Sequence, residues 1–214
     1  MMVGIFKKLA QKLFKNFFKK RKDMKIGLYG PPNGGKTTLA NKICEDWLDE
    51  KDAMGSVSSV AHETREVQIK NSVIIESKTG KKLTFNLVDT PGIATKIDYE
   101  DFLKEGMSEK EAKVRAKEAT KGVIDSIKWL DDMDAVVVVL DSTKDPYSQV
   151  NITIVGNLEA RKTPVLVVAN KIDLKKSNIK KLQAAFPQYK VIGISAMEGK
   201  NIEEFYETLF EVAR

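Results

Sequence analysis

Eight residues, GPPNGGKT at 30–37, satisfy the spacing G-x-x-x-x-G-K-[ST] between a predicted strand and a predicted helix. Glycines at this spacing let the chain wrap an anion, so that successive backbone N–H groups point inward at a helix N-terminus. Asn33, Gly34, Gly35 and Thr38 belong to that wrap. Lys36 is placed to reach the β- and γ-phosphates of a nucleoside triphosphate, and the Thr37 hydroxyl to ligate Mg²⁺. A glycine-rich turn with a solvent lysine is the plain alternative. The complete motif in its strand-to-helix context outweighs it.

DTPG at 89–92 ends an apolar strand. Alone it would read as a turn, since each of its residues favours one. Downstream of a phosphate loop, Asp89 is placed for Mg²⁺ and the Gly92 N–H for the γ-phosphate. NKID at 170–173 follows the buried strand PVLVVA. A carboxylate at Asp173 can accept from both N1–H and the exocyclic amine of guanine, a donor pair that adenine lacks. Asn170 can bond the base edge and nearby backbone, and the Lys171 stem can cover the purine face. SAM, Ser195 to Met197 with Ala196 between, offers backbone N–H groups to the guanine O6. GTP and GDP are thus the expected ligands.

These residues need rigid positioning. MKIGLYG (24–30) reads as a short buried strand, 36–48 as a helix and 49–63 as a loop. Two alternating strands, 66–77 and 81–89, flank a turn at Thr79-Gly80. A long polar connection follows Gly92, its acidic part near 94–110 read as a solvated lid. A helix is predicted from Ser108 to about 130, with Ser108 and Glu111 at capping-box spacing. AVVVVLD (135–141) and PVLVVAN (164–170) are β-branched runs suited to parallel strands buried on both faces. Helices near 147–161, 178–185 and 201–213 alternate with them, and 191–195 supplies a last strand. The fold class is α/β: a mostly parallel six-stranded sheet with helices on both faces.

The ordered set GPPNGGKT, Thr64, DTPG, NKID and SA resembles the translation-factor-related class of P-loop GTPases, and within it the Era-like group. Asn33 in the Pro-Asn-x-Gly-Lys loop, Thr64-Arg65 and the proline of DTPG favour that group over Ras-like proteins. The resemblance spans 24–213 and implies a GTPase G domain. It implies GTP hydrolysis to GDP and phosphate, with catalytic roles for Lys36, Thr64, Gly92 and Asn33, and Mg²⁺ held by Thr37, Thr64 and Asp89. An asparagine at the Asn33 position helps several relatives hold K⁺ beside the β/γ bridging oxygen; a loop residue tolerant of unusual dihedrals is the other reading. Ile93 stands where many small GTPases carry a water-orienting glutamine, which implies slow turnover. His62, a lone histidine in a loop, is read as exposed. The chain stops just after the last G-domain helix, so the expectation is a G domain without the RNA-binding KH domain of Era.

The chain has 214 residues, 42% hydrophobic and 31% charged, enough apolar material for a core. Its net charge of +6 is misleading. Residues 1–22 hold eight basic residues and no acid, which leaves 23–214 at −2. We therefore divide the chain into a basic leader helix, 1–22, and a G domain, 23–214. Within the leader, Ile5, Phe6, Leu9, Leu13, Phe14, Phe17 and Phe18 fall largely at i, i+3, i+4 spacing and are flanked by lysines. That pattern suits an interfacial helix on an anionic membrane surface. A helix docked on protein, or an RNA or ribosome contact with stacked aromatics, are the alternatives. One cysteine, Cys44, excludes an internal disulfide and reads as a core thiol. No apolar run reaches a membrane span. A cytoplasmic switch protein is expected, peripheral on the membrane where the leader engages lipid, with an effector protein as its further partner.

Overall fold

The computed structural model describes residues 24–48, 50, 54–55 and 66–213. The leader, His62, Thr64 and Arg65 lie outside the described residues.

Six strands form one sheet in the order β2-β3-β1-β4-β5-β6. These are β1 (Met24–Tyr29), β2 (Gln68–Glu76), β3 (Lys82–Asp89), β4 (Ala135–Asp141), β5 (Val165–Asn170) and β6 (Lys190–Gly193). Only β2 runs antiparallel, paired to β3. The others pair in parallel, as the unbroken β-branched runs predict. Alternation splits β4 between two cores. Val137 and Val139 pack with Leu39, Ile43, Phe205 and Leu209 on one face. Val136, Val138 and Leu140 pack with Ile154, Leu158 and Leu182 on the other. Burial on both faces is what makes each strand of this run apolar at every position.

Helices α1 (Lys36–Leu48) and α6 (Ile202–Val212) cover the first face; α4 (Gln149–Arg161) and α5 (Ile179–Ala185) cover the second. Cys44 is a fully buried member of the first core, and burial raises its thiol pKa. The thiol is thus held protonated and inert. Helix α3 (Glu109–Trp129) starts at the expected capping box: Ser108 Oγ accepts from the Glu111 N–H, and the Glu111 carboxylate accepts from the Ser108 N–H at 3.0 Å. The Thr79-Gly80 turn also forms, with Gly80 at φ +75°.

Two differences have local causes. The β2 register shifts between Lys70 and Val73, where Ser72 adopts φ +58° and its N–H bonds the Asn86 side chain at 2.9 Å. This bulge leaves Ile69 and Ile74 exposed while Val73 and Ile75 stay buried. The segment read as a solvated lid instead contains a helix, α2 (Tyr99–Lys104), capped by Asp98. Phe102 packs with Ala112 and Ala119 of α3, with Ile97, Leu103 and Met107 against them. Acidic residues cover the outside of α2, but this small apolar cluster ties it to α3. Phe102→Ala would remove about 3 kcal/mol of local packing. Hydrogen exchange should therefore quicken about a hundredfold in 97–107 while β4 and β5 keep wild-type protection.

Candidate functional site

The site lies along the carboxyl ends of the parallel strands, where an open α/β sheet offers a crevice. Beyond β1 the chain turns through Gly30, whose φ is +153° and where a Cβ would stand 2.2 Å from the Val139 carbonyl oxygen. Gly35 has φ +96°, and a Cβ there would meet the Asn170 amide nitrogen at 2.1 Å. Both glycines are thus required by backbone angle and by space. Asn33 is exposed and left-handed, φ +58°, a conformation asparagine tolerates better than most residues.

Lys36 opens α1 and is almost wholly buried. Its ammonium donates to the Gly30 and Pro31 carbonyls at 3.3 and 2.9 Å, folding the loop around the charge. Burial pulls its pKa down to about 8, against the opposing pull of Asp89. Thr37 donates its hydroxyl to Asp89 Oδ2 at 2.6 Å. Asp89 ends β3 with no exposure, and burial lifts its carboxyl to about 6 despite Thr37 and Lys36. Its Oδ1 is buried with no hydrogen-bond partner. An orphaned carboxylate oxygen beside a hydroxyl is the donor set of a hard cation, so these residues fit Mg²⁺.

DTPG is fastened from three sides. Thr90 donates to the Leu28 carbonyl at 2.6 Å, the Ile93 N–H donates to the Gly30 carbonyl at 3.0 Å, and Ser126 of α3 donates to the Pro91 carbonyl at 3.2 Å. A Cβ at Gly92 would lie 2.7 Å from Pro32, so DTPG and the phosphate loop are in contact. The Ile93 side chain is buried in the second core with Tyr29 and Val88. It is therefore no part of the phosphate site.

At the neighbouring strand end, Asn170 ends β5 and both heteroatoms of its amide are bonded within the protein. Nδ2 donates to the Gly34 carbonyl at 2.9 Å, and Oδ1 accepts the Ala196 N–H at 3.0 Å. Asn170 thus joins the phosphate loop to the SAM loop. Lys171 has φ +67° and donates to Asp141 Oδ2 at 2.7 Å. The other Asp141 oxygen accepts the N–H and hydroxyl of Thr143. Burial opposes ionisation of Asp141, but the Lys171 and Thr143 hydrogen bonds hold its carboxyl below the usual range. Asp173 is exposed, and Met197, the last residue of SAM, is 76% exposed. Ser195 is buried and its Oγ accepts the Glu198 N–H at 3.1 Å, bending the chain. The structure therefore brings the 30–38, 89–92, 170–173 and 195–197 groups to one edge of the sheet.

Sequence reasoning passed over Asp141, Thr143 and Ser126. Asp141 did carry a signal, an acid ending a buried strand as Asp89 does.

The fold is that of the P-loop GTPase class, with these four groups at one end of its strands. Residues 25–171 match the family of 50S ribosome-binding GTPases, and the chain belongs to it. It is similar to GTPase Era of Geotalea daltonii, 30% identical over 183 residues that make up 82% of this chain and 50% of that protein. GTPase Der of Mycoplasmopsis pulmonis is 27% identical over 198 residues, 88% of this chain and 39% of that one. A crystal structure of Era with MgGDPNP and a fragment of 16S ribosomal RNA superposes with a TM-score of 0.64 at 22% identity, covering 89% of this chain and 57% of that one. That likeness is one of fold. The chain spans about half or less of the length of these curated relatives.

Asn170→Ala tests the joint between the two loops. It leaves the Gly34 carbonyl and the Ala196 N–H without their partner, and two such losses cost about 2–4 kcal/mol. Urea unfolding of nucleotide-free protein should show that loss, which a residue touching only the base would not produce.

Proposed function

We propose that this chain binds GTP and GDP, hydrolyses GTP with Mg²⁺, and serves as a slow switch. The buried, unpartnered Asp89 Oδ1 beside Thr37 and Lys36 carries this reading. Thr37, Asp89 and Thr64 would hold the ion, which when bound neutralises charge on the β- and γ-phosphates. Lys36 would leave the Gly30 and Pro31 carbonyls for the phosphate oxygens. The Gly92 N–H would meet the γ-phosphate, so any shift there passes to α3 through Ser126. Asp173 would accept the two guanine donors and Lys171, steadied by Asp141, would lie against the ring.

Slow turnover follows from Ile93, whose side chain is sealed in the core and orients no water. K⁺ held with the help of Asn33 would then supply the missing positive charge. Residues 4–20 would recruit the protein to an anionic membrane from the cytoplasm in the state that binds its effector protein. A role on RNA or the ribosome is the second reading, supported by the family's description and by the RNA in the Era complex.

Competition binding should show GTP and GDP excluding ATP, and Asp173→Asn should shift preference to xanthine nucleotides. Equal affinity for ATP and GTP would overturn the assignment. Thr64→Ala should spare GDP binding while slowing hydrolysis tenfold or more, since this threonine would meet Mg²⁺ only in the triphosphate state. Turnover measured in K⁺ and Na⁺ at equal ionic strength should differ; identical rates leave Asn33 a loop-forming role alone. Flotation with phosphatidylglycerol vesicles should recover the full chain and lose a chain starting at Asp23, whereas RNA capture with that same difference would favour the ribosomal reading.

A further inference from the structure

A groove of about 760 Å³ runs between the start of β2 and α3, beside DTPG. Val67, Pro91 and Trp129 give it apolar walls, and Glu66, Glu118 and Asp125 give it an acidic edge. Lys121 is the one basic residue lining it. Glu118 and Asp125 have neighbours of their own, Arg115 at 3.6 Å and Lys128 at 3.7 Å. The Lys128–Asp125 pair is exposed and readily exchanged, whereas Arg115 is almost wholly buried and its pair with Glu118 is held more firmly.

We propose that residues 4–20 of this chain dock in this groove, apolar face on Val67, Pro91 and Trp129, lysines along Glu66, Glu118 and Asp125. Three observations identify the occupant. The first is where the chain enters the described structure. Lys25, the second residue of β1, donates its N–H to Asp134 at 2.8 Å and holds its ammonium 5.1 Å from the Trp129 ring centre. Met24, the first described residue, thus lies next to one whose side chain touches Trp129, a wall of the groove. The second is charge: the leader has eight basic residues and no acid, against three acids and one lysine among the described residues lining the groove, where Glu66 has no ion pair and Asp125 only an exposed one. The third is layout. A row of Phe and Leu flanked by lysines meets an apolar floor flanked by carboxylates, the pattern by which an amphipathic helix lies in a groove. The volume lies in the range of sites that enclose several large side chains.

Docking here withdraws the same face that lipid or RNA would use, so the groove competes with either partner. The inference reaches beyond the proposed function and does not require it.

Zero-length carbodiimide coupling of the full-length protein, followed by peptide mapping, tests it. A mixture of isotopically heavy and light chains separates links within one molecule from links between two. The expected result is intramolecular bonds joining lysines of 7–22 to Glu66, Glu118 or Asp125. Glu66→Lys with Asp125→Lys should cut those bonds at least fivefold without lowering the thermal unfolding midpoint. Lys12→Glu with Lys15→Glu should do the same, and combining all four should restore links with the signs exchanged. Leader lysines coupled only to carboxylates elsewhere, or only between chains, would overturn the proposal.

Discussion

The arrangement depends on one side-chain amide. Asn170 holds the Gly34 carbonyl with its nitrogen and the Ala196 N–H with its oxygen, so the loop proposed for phosphates and the loop proposed for the base share a single fixed point. A nucleotide has its triphosphate and its purine at opposite ends, and a protein that grips both must hold the two grips at the right separation. Here β5 sets that separation, because Asn170 is its last residue. Gly35 is glycine partly because this amide approaches so closely. The polar contact and the missing side chain are two aspects of the same requirement.

Around that point, buried charge is arranged with little slack. Lys36 and Asp89 are both taken out of water, and each is shifted toward its neutral form by burial. A dry lysine and a dry carboxylate, the latter accepting from a hydroxyl and with one oxygen unsatisfied, are groups that fit an anionic ligand and a hard cation. Asp141 repeats the idea more mildly on the base side, its carboxylate satisfied by Lys171 and Thr143.

The groups proposed for phosphate and guanine stand out in the sequence because that chemistry would demand particular residues at short, fixed spacing. Strands β4 and β5 were legible because burial on two faces leaves no place for polar residues. What could not be read depends on contacts between distant segments. Nothing local shows that Ser126 reaches the Pro91 carbonyl, or that Asn170 spends its amide within the protein. Helix α2 has only six residues, too few to form without tertiary support, and its support is its own Phe102 ring packed on Ala112 and Ala119 of the helix that follows. The acidic residues around Phe102 were visible; the ring's neighbours were not. The Ser72 bulge is hidden for a related reason. An alternating pattern continues across it by eye, while one extra residue changes which side chains face inward.

That bulge bears on how the molecule meets its own copies. Strand β2 borders the sheet, and a border strand offers free N–H and C=O groups to any extended chain that approaches. Ser72 turns out of the ladder with its N–H already given to Asn86, and Lys70 places a charge two residues before it. An incoming strand would find the spacing broken midway and the Lys70–Glu50 ion pair near it. Sheet-to-sheet polymerisation is thereby discouraged at this margin, even though Ile69 and Ile74 lie exposed along it.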